Sequence, residues 1–290
     1  RIFSGDSVRA SIRINGRDTD LIMLQNVQDQ CFEFPGGSLV PDDGILAGLS
    51  LSHGLNTVEF HITPKGSTGE GVTASASLWL WSASDRIAVV DIDGTITKSD
   101  VRGLFANFFT GGADNHEGVA DAISYVAGKG YRILYLTARP ISMATETRKY
   151  LESVSKMPDG ALITQQHGGI MRALTSKHDE FKISALGQIQ ALFQAETFAS
   201  DFVCDPQGSV FAGGFGNAVT DILAYAHAGI ARTHIFVADT SSRITNLESG
   251  NAFQSYTGLQ PHLDDFFPGK DSHPFWAAPV PEMLNVLYAL

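Results

Sequence analysis

Hydrophobic and polar positions fall into two textures that meet near residue 84. Before that point apolar and polar residues alternate, the period-2 signature of strands with one buried face. Val8, Ala10, Ile12 and Ile14 form one such run and residues 19–24 a second. Asn15-Gly16 between them predicts a tight hairpin, because both residues accept positive φ. Residues 57–62 and 72–81 predict two longer strands, joined by a turn-rich stretch at 63–67. Short alternating strands with Gly and Pro punctuation predict a small β-sandwich over residues 1–84. No residues of this half assemble chemistry, so a packing or placement module is expected.

From Arg86 the pattern changes. Ile87-Ala88-Val89-Val90 is unbroken apolar sequence, as in a strand buried on both faces of a parallel sheet. Helices predicted over 117–129, 142–154, 181–193 and 217–228 then alternate with strands at 131–136, 161–163, 210–213 and 233–237. This alternation predicts βαβ crossovers and a doubly wound α/β sheet over residues 85–290, with ligands at the carboxyl ends of its strands. The apolar tail, 276–290, carries no motif and reads as a docking helix or as packing.

Composition narrows the function. In 290 residues, 43% hydrophobic and 18% charged side chains exclude a disordered or fibrous chain. Twenty Lys and Arg against 31 Asp and Glu give a net charge of −11, which repels nucleic acid, and anionic membranes wherever no local patch overrides the field. The charge is uneven: residues 86–182 hold 12 basic and 11 acidic side chains, the remainder 8 and 20. A solvated surface of mixed charge explains this, as does a middle segment that handles an anion. No apolar run approaches the ~20 residues of a membrane span. Cys31 and Cys204 lie outside any metal-type spacing and no Asn-x-Ser/Thr sequon occurs, which favours a reducing, intracellular compartment. A first residue of Arg1 leaves room for a preceding segment.

Candidate chemistry gathers at the predicted strand ends. The first apolar strand runs into Asp91-Ile92-Asp93-Gly94-Thr95, placing two carboxylates two residues apart so that both point the same way out of the sheet. An ordinary acidic turn is a poor explanation, since close like charges need a cation or proton. The second strand ends in Leu136-Thr137-Ala138-Arg139; a threonine there is as often a helix cap. Lys182 opens a predicted helix, where a lone lysine is normally a solvated charge. Gly213-Gly214-Phe215-Gly216-Asn217 reads as a glycine-rich turn that lets backbone approach a ligand, with Asn217 a neutral oxygen donor for a hard cation. Asp221 falls on the same helix face as Asn217.

These four elements resemble the haloacid dehalogenase (HAD) superfamily of aspartate-nucleophile phosphatases, and within it the lipins, phosphatidate phosphatases of the Pah/Smp2 type. The block from Asp91 to Asp100 is similar to the lipin signature nearly letter for letter, and Tyr135-Leu136-Thr137-Ala138-Arg139 to its second motif, with Thr where many relatives have Ser. Phe215-Gly216-Asn217 and Asp221 resemble its last motif; Gly54-Leu55-Asn56-Thr57-Val58 and Leu78-Trp79-Leu80-Trp81 resemble the lipin lead-in. The stretch from Ile14 to Phe34 resembles a trimmed lipin N-terminal module. The resemblance implies an HAD-like domain without a large cap over residues 85–290, and an immunoglobulin-like sandwich over residues 1–84. Two features of many family members are absent: an amphipathic helix before Ser4, and the long region between the lipin modules, replaced by residues 36–48.

The same resemblance implies roles. Asp91 is the nucleophile, Asp93 the acid and then the base, and Thr137 and Lys182 hold the transferring phosphoryl oxygens. Mg²⁺ is bound by Asp91, the Asp93 carbonyl and Asn217, with Asp221 supporting Asn217 or metal-bound water. Gly94, Thr95 and Arg139 fall at the substrate, Arg139 either contacting it or bracing the site. The implied substrate is phosphatidic acid at a membrane surface. The implied location is cytoplasmic, in peripheral contact with the endoplasmic reticulum or nuclear membrane. Openness has a physical side: Asp93 and Ala138 are only 45 positions apart, and a similar stretch separates Arg139 from Lys182. An open site suits a headgroup presented at a bilayer, because extracting acyl chains costs about 0.8 kcal/mol per CH₂. The rivals are an HAD phosphatase of soluble or protein phosphates, and a non-catalytic phosphatidate-binding module. The presence of both Asp91 and Asp93 argues for catalysis over the latter.

Overall fold

A computed structural model describes residues 8–26, 31–63, 71–98, 114–165, 178–197, 209–269 and 284–289. Asp100, Cys204, most of the 63–67 turn and residues 276–283 of the tail lie outside the described residues. The chain divides into two compact units, one comprising Arg1–Trp81 with Val286–Ala289, the other Ser82–Asn285 with Leu290.

The first unit is built on β1 (Arg9–Ile14), β2 (Arg17–Gln25) and β3 (Phe32–Glu33), a short helix α1 (Asp43–Ala47), and β4 (Gly54–Thr63) and β5 (Val72–Ser82). Asn15 and Gly16 take φ of 51° and 74°, and Ile14 pairs with Arg17 across them, so the Asn-Gly hairpin forms as the sequence predicts. β1 pairs antiparallel with β2 and β4, and β4 with β5. The alternation of β1 buries Ala10, Ile12 and Ile14 in one cluster with Met23, Val58 and Leu78. Asn56 of the lead-in is fully buried. It accepts the Ser52 N–H and an Asn15 side-chain N–H, both at 2.8 Å, while Asn15 in turn accepts the Thr57 N–H at 2.9 Å. A single amide pair therefore ties the hairpin turn to β4.

Two expectations change here. The strands were expected to form a two-layer sandwich; among the described residues they join one six-stranded sheet, with the tail strand Leu284–Ala289 beside β5, then β4, β1, β2 and β3. Alternation reports that one face is buried but not what buries it. The apolar tail, read as a docking helix or packing, supplies an edge strand, and a short apolar run does not distinguish helix from strand by periodicity.

The second unit holds β6 (Ile87–Val90), α2 (Val119–Gly128), β7 (Arg132–Pro140), α3 (Ala144–Ser153), β8 (Ala161–Gln165) and α4 (His178–Thr197). It continues with β9 (Phe211–Gly216), α5 (Val219–His227), β10 (Ile235–Ala238), β11 (Ile244–Asn246) and β12 (Ala252–Phe253), and two short helices, α6 (Tyr256–Leu259) and α7 (Leu263–Phe266). The sheet order is β12-β11-β10-β9-β6-β7-β8. The five strands from β10 to β8 are parallel, and β11 and β12 add an antiparallel edge. This is the doubly wound α/β sheet expected from the pattern. All four residues of β6 are fully buried. Ala88 and Val90 join one core cluster with Val119, Ile123 and Val126 of α2, while Ile87 and Val89 point to the opposite face. Among the described residues no helix is long and apolar enough to cross a membrane.

The glycine-rich segment departs from its reading as a turn. Gly213, Gly214 and Gly216 lie in β9 itself, and their missing Cβ atoms leave space that neighbours fill. A Cβ would meet the Phe267 ring at 2.5 Å from Gly213, the Tyr225 ring at 2.5 Å from Gly214, and the Asp221 Cβ at 2.6 Å from Gly216. These glycines let bulky side chains and Asp221 pack flush on the strand. Gly214→Ala is expected to lower stability by about 1–3 kcal/mol through overpacking. Gly128→Ala, where nothing lies within 4 Å, is expected to leave it unchanged or slightly raised, and denaturant midpoints of the two variants check this.

Candidate active site

The chain leaves β6 toward β7 on one side and β9 toward β10 on the other, so the gap between β6 and β9 is the topological switch point where such sheets open a crevice. Asp91 follows β6 directly and Asn217 follows β9. The Asp91 N–H donates to the Phe215 carbonyl at 2.9 Å, which carries the pairing of the two strands into the crevice.

Asp91, Lys182 and Asp221 form a buried cluster at this point. Lys182 Nζ lies 2.5 Å from Asp91 Oδ1 and 2.6 Å from Asp221 Oδ1, and the three side chains are at most 6% exposed. Lys182 belongs to the second turn of α4, which begins at His178 rather than at 181. Lys182, which counted only as part of the set, is thus the counter-ion of two carboxylates. Burial pushes the Asp91 carboxyl up to about 7 against the pull of Lys182, with Asp221 and Asp93 adding to the rise. Burial alone would lower Lys182, but the two aspartates outweigh it and hold the ammonium above its ordinary range. The other Asp91 oxygen accepts the Thr95 hydroxyl at 3.0 Å.

Asp93 is held separately. Arg139 grips it with two nitrogens, Nε at 3.0 Å from Oδ2 and a terminal nitrogen at 2.6 Å from Oδ1, and the Thr137 hydroxyl donates to Oδ2 at 3.1 Å. Arg139 is 4% exposed, donates to Thr147 at 3.2 Å, and lies 5.8 Å from the Tyr150 ring centre. The structure brings the Arg139 guanidinium onto Asp93. Thr137, Ala138 and Arg139 belong to β7, which extends through Pro140, with a register irregularity after Leu136.

Asp221 also accepts the backbone N–H groups of Asn217 and Ala218 from its other oxygen, at 3.0 and 2.9 Å. The turn after β9 is therefore fixed by the carboxylate that faces Lys182. The Asn217 amide lies over Gly94, where a Cβ would fall 2.0 Å from its Nδ2, and Gly94 takes φ of 86°. Asn217 and the Asp91–Gly94 turn are thus in direct contact, as the sequence set requires.

The turn itself is closed by groups the sequence reading missed. The Gly94 N–H donates to the Thr97 hydroxyl at 3.1 Å. His116 and Tyr256, 2% and 1% exposed, reach the carbonyls of Gly94 and Thr95, each at 3.1 Å. Burial lowers the basicity of His116. Neither residue falls in a motif; the one signal available was a histidine beside a predicted helix start.

The donor chemistry bears on metal binding. Among the described residues no group of three or more His, Cys, Asp and Glu is arranged to hold a metal ion. Asp91, Asp93 and Asn217 meet at this turn and offer a carboxylate, a backbone carbonyl and an amide oxygen, donor types that fit a hard divalent cation. A cation held there would lower the Asp91 carboxyl, in the same sense as Lys182.

Sheet order, switch-point crevice and the buried Asp-Lys-Asp cluster define a doubly wound α/β protein with an acidic site at the carboxyl end of its central strand. The chain belongs to the LNS2 (Lipin/Ned1/Smp2) family, whose model matches residues 37–268. It is 35% identical over 231 residues to phosphatidic acid phosphohydrolase 1 of Saccharomyces cerevisiae, covering 76% of this chain and 26% of that protein. It is 31% identical over 261 residues to a phosphatidate phosphatase of Arabidopsis thaliana, covering 84% and 27%. To nuclear elongation and deformation protein 1 of Schizosaccharomyces pombe it is 31% identical over 234 residues, covering 77% and 33%. The chain spans about a quarter to a third of the length of these relatives.

Proposed function

We propose that this chain carries the catalytic segment of a Mg²⁺-dependent phosphatidate phosphatase, which hydrolyses phosphatidic acid to diacylglycerol and phosphate. The observation that carries the reading is the Asp91-Lys182-Asp221 cluster at the switch point, with Asp93 held beside it, in a family whose relatives are named phosphatidate phosphatases.

In this reading an Asp91 oxygen attacks phosphorus, the P–O bond to the glycerol breaks, and an aspartyl-phosphate forms. Asp93 gives its proton to the departing diacylglycerol oxygen, then takes one from the water that cleaves the acyl-phosphate, so the carboxyl returns to its starting state. Thr137 and Lys182 bind the phosphoryl oxygens, with Gly94 and Thr95 beside them, and Arg139 orients Asp93 toward the leaving group. The Asp91 carboxylate, the Asp93 carbonyl and the Asn217 amide would hold Mg²⁺, with Asp221 fixing the Asn217 backbone. When bound, Mg²⁺ supplies positive charge against the oxygens of the phosphoryl group. The family resemblance supports an HAD-like fold without a large cap for the second unit. It also supports peripheral contact with the endoplasmic reticulum or nuclear membrane.

Phosphate release from phosphatidate in mixed micelles, with Mg²⁺ and with chelator, tests the reading beside a panel of sugar, nucleotide and peptide phosphates. The expected result is Mg²⁺-dependent hydrolysis of phosphatidate well above the panel. Preference for a soluble or peptide phosphate transfers the site to that substrate, and binding of phosphatidate without turnover overturns catalysis.

A further inference from the structure

We infer that His116 is a positioning residue for the turn that carries Asp91 and Asp93, acting on cation affinity through a single backbone carbonyl. The inference rests on the phosphatase reading and adds a residue to its machinery.

The later amides of the turn bond within it. Ile92 O accepts the N–H groups of Ile96 at 2.9 Å and Thr97 at 3.2 Å, and the Gly94 N–H goes to Thr97 Oγ1. In a planar trans peptide N–H and C=O point in opposite directions, so turning the Gly94 N–H onto Thr97 turns the Asp93 carbonyl the other way. The next three carbonyls, Gly94, Thr95 and Ile96, are held from outside the turn. His116 Nε2 lies 3.1 Å from Gly94 O, the Tyr256 hydroxyl donates to Thr95 O at 3.1 Å, and the His116 N–H donates to Ile96 O at 2.9 Å. Two of these three anchors come from His116, one from its ring and one from its backbone.

The ring is held at both nitrogens. A carbonyl only accepts, so Nε2 carries the proton, while Nδ1 pairs with the Ser242 hydroxyl at 2.9 Å. Both nitrogens are thereby used, and the ring packs beside Tyr256 with centres 6.3 Å apart. On the far side of the turn, Asn217 fills the space where a Gly94 side chain would be. Gly94 is therefore held between His116 on its carbonyl and Asn217 on its α-carbon. Releasing the carbonyl frees the peptide next to the one that contributes the Asp93 oxygen, and with it the spacing of that oxygen, the Asp91 carboxylate and the Asn217 amide.

The test compares wild type, His116→Ala, His116→Gln and Tyr256→Phe by Mg²⁺ titration calorimetry of the protein without substrate, and by phosphatidate turnover in mixed micelles. His116→Ala is expected to bind Mg²⁺ about 10-fold to 100-fold more weakly, the range seen when groups orienting metal ligands are removed. Its kcat at subsaturating Mg²⁺ falls in proportion and its KM for phosphatidate stays within a few-fold; raised Mg²⁺ restores much of the loss. His116→Gln, which keeps a donor, recovers most of the affinity. A merely structural role lowers the thermal midpoint and the active fraction without moving the Mg²⁺ affinity of the folded molecules. Tyr256→Phe loses one hydroxyl and is expected to repeat the pattern at smaller size, which keeps the inference testable should His116→Ala fail to fold. Wild-type Mg²⁺ affinity in the folded variants overturns the inference while leaving the phosphatase reading intact, whereas a wild type that hydrolyses no phosphate ester overturns the reading itself.

Discussion

Asp91→Asn is expected to reduce phosphate release by about 10⁴-fold or more, the scale on which hydrolases lose activity without their nucleophile, while leaving the fold intact. The amide matches the carboxylate in shape but cannot form the acyl-phosphate. It can still accept from Lys182 and meet the Thr95 hydroxyl, and Lys182 keeps Asp221 as its counter-ion at 2.6 Å. The stability change has a definite sign. Burial raises the Asp91 carboxyl from 3.8 to about 7, so between those values the folded chain keeps a proton that the unfolded chain has lost. Stability contributed by this group is complete below the lower value and is lost as pH rises through the upper one. The asparagine variant lacks that loss. In chelator its unfolding midpoint should therefore draw level with or exceed wild type as pH passes from 4 to 7, and stay there above 7. Unchanged turnover in the folded variant would refute the nucleophile assignment.

Lys182→Met is expected to be costly in both stability and activity. It removes the ammonium that contacts both Asp91 and Asp221 and leaves two carboxylates, 5% and 1% exposed, with no counter-ion contacting both among the described residues. Breaking a buried pair in this way costs about 3–5 kcal/mol, and phosphoryl binding loses its ammonium as well. The double variant Lys182→Met with Asp91→Asn should regain part of the stability, because one of the orphaned charges is gone. A denaturation cycle over the four proteins measures the coupling. Equal losses in the single and double variants would show that Lys182 acts through packing rather than charge.

The two substitutions separate roles that activity alone would merge. Both silence the reaction, yet one leaves the cluster neutral and stable and the other leaves it charged and strained. Comparing unfolding in chelator with unfolding in Mg²⁺ adds a third reading, since a cation on Asp91 and Asn217 stabilises only chains whose ligands remain.

Much of the site was readable from residue order. Asp91 and Asp93 follow a strand whose every residue is apolar, and that run marks a central parallel strand because only such a strand is covered on both faces. Thr137, Lys182, Asn217 and Asp221 were found by their place after or within predicted elements, and the structure gathers them about one crevice. The contacts of Arg139, His116 and Tyr256 were not readable in this way. Arg139 could have turned toward a ligand or toward Asp93, and nothing in its neighbours in sequence distinguishes the two. Tyr256 meets Thr95 across 161 positions, beyond the reach of any local pattern.

The sequence by itself determined the hairpin and the long strands of the first unit, the alternation of strands and helices in the second, and that an acidic pair leaves the central strand. These follow from backbone geometry, which directs side chains with a period of two or 3.6 and so writes burial into local order. Only the tertiary structure decided that the glycines of β9 accommodate Phe267, Tyr225 and Asp221 rather than a ligand. It alone joined residues 284–289 to the first sheet as an edge strand, and closed the acidic turn with a histidine and a tyrosine. The physical reason is the same in each case: periodicity records that a position needs a partner, while the identity of the partner depends on distances that chain folding sets.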